Sequence, residues 1–599
     1  MSRLSVPPNF IGTSSADTIV GEELNAPLAI GIEILGKGSI DTRSGKDTIK
    51  GTGNGTNGGN GGNGIDGGND GGNGGIGTGI ANSGNLNTEK ENDNITGTGQ
   101  GGNGGDAGDA FAYGNGGTSG SGTGIANSAS LNTGSGNDTL TGTGNGGNAG
   151  NRNTGGFGKG AEGGTGTGIA NSGNLNTSYG NDKITGTGNG GNGGFEQGDG
   201  GNGTGIANSG ILNTGSGNDT LTGTGNGGDG AESYTRRYGD GGSGTGIDNS
   251  GKNGSLNTGD GNDTIIGIGT GSNDDYGNGT GIANSASLTT GSGNDRITGT
   301  GTGSNKTNGT GIDNSGSLNT DSGNDTITGT GTGSNLSRGT GIDNSGSLNT
   351  DSGNDTITGT GQANGFNSEG VGIGIGIANS GKLNTGDGEN TIAGTGTGGN
   401  INTLFYGGVD SGTGTGILNI KNATITTGSD KDTIIGYGNS SGENDTAYGI
   451  FNDGVIDTNN DSDKLTGQAT TTIGGTAYGI YGQGTINTGD GNDQITATSI
   501  VDGVQQKVSI GGGIKIDLGT GDDFFKGFGG ASVNGGDGFD TLDLGTFNRS
   551  ELLVSGVISG NPLNSANFSF NGISLSTTGF EKFIFADSSL DYSTLVNGA

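Results

Sequence analysis

The phrase NTGSGNDTLTG at residues 132–142 recurs letter for letter at 213–223, and its reading decides the fold. Residues 319–329 and 349–359 both read NTDSGNDTITG, and related copies begin with FIGTSSADTIVG at Phe10 and end with DLGTGDDFFKG at 517–527. The aspartate of the phrase falls at Asp17, Asp47, Asp93, Asp138, Asp182, Asp219, Asp263, Asp295, Asp325 and Asp355, then at Asp432, Asp463, Asp493 and Asp523, with Asn390 in its place once. The interval is 30 residues at its shortest (Asp325 to Asp355) and 46 at its longest (Asp47 to Asp93). A fixed minimum with variable excess describes one structural unit carrying insertions.

A second phrase precedes each copy, GTGIANSGNLN or GTGIDNSGSLN, so one unit holds three short apolar-centred pieces. In the cleanest copy these centre on Ile312, Leu318 and Ile327, with Gly, Asn, Asp and Ser as turn formers between them. Glycine at this density forbids helices. In Thr326–Thr330, alternation places Ile327 and Gly329 on one face and the threonine hydroxyls on the other. The unit reads as one coil of a parallel β-solenoid in which identical residues stack from coil to coil.

Composition leaves few other ordered answers. The 599 residues include 154 Gly and only 24% apolar residues, too few to fill a globular core. With a net charge of -35 such a chain would be disordered unless stacked repeats bury its few apolar side chains on identical neighbours. The acidity disfavours nucleic acid and anionic membrane surfaces as partners and points to a cation. Without His or Cys, zinc sites of the usual kind and His-based catalysis are excluded. No stretch has the length of a membrane span, and the N-terminal MSRLSVPPNFIG lacks the apolar segment of a signal peptide.

The extra residues fall almost always between GTGTG and the next GTGI, and so would leave the solenoid at one corner. Segments such as GGNGGNGIDGGNDGGNGG (58–75) repeat every three residues, which suits extended polyglycine-like strands; flexible loop is the simpler expectation. Several aromatics lie in these insertions: Phe111, Tyr113, Phe157, Phe195, Tyr234, Tyr238, Tyr276, Phe366, Phe405 and Tyr406. They would either stack on sugars or hold a partner, or fold back to pin their own loops.

The aspartate phrase resembles the hemolysin-type calcium-binding (RTX) nonapeptide G-G-x-G-x-D-x-U-x, U being a large apolar residue. The resemblance implies a right-handed parallel β-roll with Ca²⁺ between turns, held by backbone carbonyls and carboxylates. Gly535-Gly536-Asp537-Gly538-Phe539-Asp540-Thr541-Leu542-Asp543 satisfies every position. The implied ligand turns are best supported at Gly519, Gly521 and Asp523 and at Gly535, Gly536, Gly538 and Asp540. Internal copies depart from the pattern, since Thr133 stands where the first Gly is expected. Asp138, Asp182, Asp219, Asp263, Asp295, Asp325, Asp355, Asp432 and Asp493 are therefore either calcium ligands or turn formers. Stacked carboxylates one coil apart repel by about 1 kcal/mol even in water, so a cation or hydrogen bonds must compensate.

The expected division is a degenerate repeat solenoid over 1–516, RTX-like calcium-binding coils over 517–543, and a C-terminal β cap over 544–599. The last segment, with Phe547, Phe568, Phe570, Phe580, Phe583 and Phe585, resembles the tail of proteins exported by type I secretion. The expectation that follows is a secreted, non-catalytic, calcium-binding structural or adhesive protein of the cell surface or matrix, exported without an N-terminal signal peptide. Its partners would be calcium and, further, a cell-surface polysaccharide or a second copy. Two alternatives have weaker support: an ice-binding solenoid using rows such as Thr326, Thr328, Thr330 and Thr332, and a polysaccharide-active β-helix enzyme, for which no coil carries a unique acidic cluster.

Overall fold

In the computed structural model, residues 3–62, 69–108, 114–152, 159–231, 239–273, 276–334, 337–364, 372–399, 412–442, 445–472 and 474–598 are described. They form two compact units, Met1–Asn319 and Thr320–Ala599. Both are parallel β-solenoids.

One coil of the first unit shows how the sequence does this. Its three strands are Gly122–Asn127, Ser130–Asn132 and Thr139–Asn145. Ile125, Leu131 and Leu140 point inward and are fully buried. The remaining inward positions of these strands are glycines and Asn127, because the coil is flat. A Cβ on Gly142 would fall far inside the contact distance of the Gly168 carbonyl oxygen, and one on Gly124 would strike the Thr143 amide nitrogen. Neighbouring coils pair in register, Leu140 beside Ile184 and Thr141 beside Thr185. The alternation expected for 326–330 holds in the second unit, where Ile327 pairs with Ile357 and Thr328 with Thr358.

Polar ladders bind the corners. The buried Asn127 Nδ2 donates to Asn171 Oδ1 at 2.8 Å, Asn171 Nδ2 to Asn208 Oδ1 at 2.8 Å, and Asn208 Nδ2 to Asn249 Oδ1 at 2.9 Å. Asn171 Nδ2 also donates to the Ile211 carbonyl at 2.8 Å. Asn344, Asn379, Asn419 and Asn452 repeat the ladder in the second unit. Burying these amides costs little because each donor and acceptor finds its partner in the coil above or below.

The described parts of the glycine-rich insertions of the first unit are hydrogen-bonded arms rather than loose loops. In the outgoing arm 101–108, Gly104 N–H donates to the Asn148 carbonyl of the next arm, and Gly105 N–H donates to the Gly72 carbonyl of a returning arm. Asp106 N–H donates to Asn60 Oδ1 at 3.0 Å. The same three bonds recur one triplet earlier: Gly101 to Asn145, Gly102 to Gly75, and Asn103 N–H to Asn57 Oδ1. A hydrogen-bond period of three, without helical or sheet pairing, is that of a polyglycine-type extended helix, the three-residue turn of polyproline II. Outgoing and returning arms pack with carbonyls pressed on glycine Cα atoms, so that a Cβ at Gly104, Gly105, Gly117 or Gly147 would clash with backbone. The Asn or Asp of each triplet faces outward and caps the amide that the backbone leaves over. Of the insertion aromatics, Phe195 is half-buried at an arm tip, and the exposed ring of Tyr276 lies 5.9 Å from Lys306 Nζ. Phe111, Tyr113, Phe157, Tyr234, Tyr238, Phe366, Phe405 and Tyr406 fall outside the described residues.

The second unit ends in a β cap. Asp540–Leu544 pairs in parallel with Phe580–Phe585, which pairs antiparallel with Ser589–Asp591. Ala531 pairs with Leu575 in Ile573–Thr578, a strand that runs antiparallel to Ala566–Phe570. Phe547, Phe568, Phe580 and Phe583 are fully buried here. The antiparallel returns and this aromatic cluster cover an edge that would otherwise pair with another chain.

Candidate functional site

The turn before each long strand carries the residues singled out in the sequence. The residues four and two before the aspartate take positive φ: Gly134 at 87° and Gly136 at 145° before Asp138, Gly519 at 98° and Gly521 at 131° before Asp523, Gly536 at 106° and Gly538 at 144° before Asp540. Glu89 at 65° and Glu91 at 77° accept the same geometry without being glycine. Successive turns lie directly on one another. Ser135 N–H donates to the Glu89 carbonyl and Gly136 N–H to the Tyr179 carbonyl; Asp537 N–H donates to Gly519 and Gly521 N–H to Asp537. These turn carbonyls are therefore engaged by the neighbouring coil.

The aspartates form a buried column. In the first unit Asp47 N–H donates to Asp93 Oδ1 at 2.7 Å, Asp93 to Asp138 at 2.8 Å, Asp138 to Asp182 at 2.8 Å, Asp182 to Asp219 at 2.7 Å, and on through Asp263 to Asp295. In the second unit the bond runs from Asp325 to Asp355 and from Asp432 through Asp463 and Asp493 to Asp523 and Asp540. The column ends where Asp540 N–H donates to Glu581 Oε2 at 2.7 Å, a cap residue the sequence reading did not single out. Asp295 and Asp325 are buried like the others.

The second carboxyl oxygen is the unusual feature. Oδ2 of Asp47, Asp93, Asp138, Asp182, Asp219 and Asp263, and of Asp355, Asp432, Asp463, Asp493, Asp523 and Asp540, is buried without a hydrogen-bond partner. Burial, the chief cause, pushes the carboxyls of Asp93, Asp182, Asp263 and Asp523 up to about 7, Asp463 to about 8, and Asp432 and Asp540 to about 6. Asp138, Asp219, Asp355 and Asp493 are raised for the same reason. The nearby hydroxyls of Thr88, Thr177 and Thr258 and the amide of the preceding aspartate oppose the shift at Asp93, Asp182 and Asp263, and charged neighbours add to it there.

One position supplies its own control. Asn390 stands in the column, accepts the Asp355 N–H on Oδ1 at 2.9 Å, and donates Nδ2 to the Gly386 carbonyl at 2.9 Å. Where the side chain has hydrogens to give, it gives one at the place where the aspartates carry an unpaired oxygen. At this coil the slot holds a hydrogen-bond donor.

The residue five positions before the aspartate decides the room beside it. It is a buried Thr in most coils, including Thr88, Thr133, Thr177, Thr214 and Thr258. The Thr133 hydroxyl stands near enough to the Asp138 carboxyl to oppose the rise of its pKa, outside ordinary hydrogen-bond geometry. Thr177 and Thr214 instead donate to the carbonyls of Thr214 and Thr258, at 3.1 and 3.0 Å. At the last turn this position is Gly535, where a Cβ would lie 2.7 Å from Asp540 Oδ2. At the first it is Gly12, and Asp17 Oδ2 there accepts the Thr13 N–H at 2.7 Å. The oxygen-only donors and the unpaired carboxyl oxygens fit a hard cation in kind. Among the described residues no three acidic side chains converge on one point, so carboxylates alone do not make a full ligand set. Comparison with protein-family models, characterised proteins and solved structures gives no match.

Proposed function

We propose that the chain is a non-catalytic extracellular scaffold, of the structural or adhesive kind, whose buried carboxyl column is neutralised by Ca²⁺. The carrying observation is the row of buried, unpaired Oδ2 atoms in a chain of net charge -35. An uncompensated row of buried charges opposes folding strongly, and a cation bound only by the folded chain stabilises it in proportion to its concentration. The Asp540 turn is the favoured first site, since Gly535–Asp543 carries the glycine and aspartate pattern at every position, which the internal copies do not. Export as an acidic, unfolded chain with the 544–599 segment as address, followed by folding where calcium is abundant, accords with this reading. Among the described residues no helix is long and apolar enough to cross a membrane.

Proton sharing along the internal column is a second reading, favoured by the amide of Asn390. A protonated Oδ2 would donate to the neighbouring threonine hydroxyl. Equilibrium dialysis of the chelated protein against calcium at pH 8 separates the two. Several ions per chain support calcium along the column, one or two confine it to the last turns, and none removes calcium from the proposal. Ice binding draws less support: the rows through Thr141, Thr185 and Thr222 are interrupted by Ile266, and those through Thr143, Thr187 and Thr224 by Ile268.

A further inference from the structure

Four aromatic rings break the repeat on an outward sheet face of the second unit. The phrase that reads SGTGIAN at 121–127 becomes TAYGIFN at 446–452 and TAYGIYG at 476–482. Tyr448 and Phe451 point outward on either side of the buried Gly449 and Ile450. Parallel register sets Tyr448 beside Tyr478 and Phe451 beside Tyr481. The Tyr448 and Tyr478 planes are 12° apart at 6.3 Å, while Tyr481 lies 5.2 Å from Tyr448, 5.4 Å from Phe451 and 5.0 Å from Tyr478. The four rings are half-buried and make one continuous patch. It is bounded on one side by Gly511, where a Cβ would lie 2.8 Å from Tyr481 Cδ2.

The coil does not need these rings. Ile450 and Ile480 already fill the interior, and coils of the first unit stack equally well with Thr123 and Ala126 in the same outward positions. The hydroxyls of Tyr448, Tyr478 and Tyr481 make no hydrogen bond among the described residues. The outward side chains of the two strands are Thr446, Tyr448, Phe451, Thr476, Tyr478 and Tyr481, and none is charged. An uncharged face of ring planes with free hydroxyls at their edges suits a ligand that is apolar on its face, hydroxylated on its rim and neutral. The net charge of -35 opposes polyanions.

We propose that this patch binds a neutral polysaccharide, sugar faces stacking on the rings and sugar hydroxyls bonding Tyr448, Tyr478, Thr446 and Thr476. The inference goes beyond the scaffold reading and does not depend on calcium. The test is affinity electrophoresis of the full chain through gels holding laminarin, hydroxyethyl cellulose or galactomannan, with alginate as the anionic control. The variant Y448T/F451A/Y478T/Y481A restores the Thr and Ala types carried by other coils. Retardation of the parent by at least one neutral polysaccharide, weakened about tenfold or more in the variant at unchanged circular dichroism, is expected. Tyr478→Phe, which removes one hydroxyl and leaves the ring, should weaken binding severalfold and serves if the quadruple variant loses its fold. No retardation by any neutral gel, equal retardation of parent and variant, retardation by alginate alone, or a change only in self-association would overturn the proposal.

Discussion

Replacing Asp182 by Asn tests the column at a single point. The Asp182 carboxyl is pushed up to about 7 from an ordinary 3.8, first by burial and further by Asp138 and Asp219. A folded-state pKa above the unfolded one means that the carboxyl contributes its full stability below about 4 and loses it as pH rises through about 7. In the absence of cations the difference of about 3 units corresponds to roughly 4 kcal/mol well above pH 7. Because neighbouring carboxyls titrate as a set, a single substitution should recover about 2–4 kcal/mol of it. Asp182→Asn is neutral at every pH and keeps the acceptor for the Asp138 N–H, as Asn390 does for Asp355. In chelator at pH 8.5 the variant should therefore be the more stable, by urea unfolding and by hydrogen exchange of the coil containing Lys183–Asn189. At pH 4.5 the two proteins should differ by less than about 1 kcal/mol. A variant less stable than the parent in chelator at pH 8.5 would refute the reasoning, since it would mean the ionised carboxylate is favourably paired. With calcium present, a loss of stability in the variant is what a cation at this coil predicts.

Gly105→Val places side-chain atoms against the Gly59 carbonyl, so amide protection over 101–108 should collapse while the strands of the same coil stay protected. Asn171→Ala leaves Asn208 Oδ1 and the Ile211 carbonyl without their Nδ2 donors in a buried corner, and should cost about 1–3 kcal/mol by urea unfolding. Gly535→Thr would set a Cβ 2.7 Å from Asp540 Oδ2 and 2.8 Å from the Gly579 carbonyl oxygen, so the last turn must shift; dialysis should then show one calcium ion fewer per chain, with the β signal of the remaining coils retained in circular dichroism.

The coil itself was legible, because a strand whose inward residues are Ile or Leu and then Gly leaves no other way to bury them. Ile327 and Gly329 lie inside as alternation requires. The stacking of aspartates was legible too, but not their depth. A polar phrase such as SGND gives no sign that its Asp is inside until the flatness of the coil is known. Order in the glycine arms was hidden for a related reason. Gly104 and Gly105 have no partners within their own segment, and every bond they donate goes to another arm. Only the GGN period of three announced it. Attention to aromatics in the insertions passed over Tyr448, Phe451, Tyr478 and Tyr481, whose signal was the replacement of Thr and Ala inside an otherwise repeated strand. Glu581 carried no signal, since it meets Asp540 only once the cap folds back on the last coil.

The most direct test of the column is to follow far-UV circular dichroism and the unfolding midpoint of the full chain in chelator as pH rises from 4.5 to 8.5, and then to add calcium at pH 8.5. The carboxyls raised to about 7 at Asp93, Asp182, Asp263 and Asp523 predict a fold that is firm at pH 4.5, weakens through neutrality, and is restored by calcium. A midpoint that neither falls with rising pH nor responds to calcium would contradict the account, because the buried Oδ2 atoms would then need no positive partner.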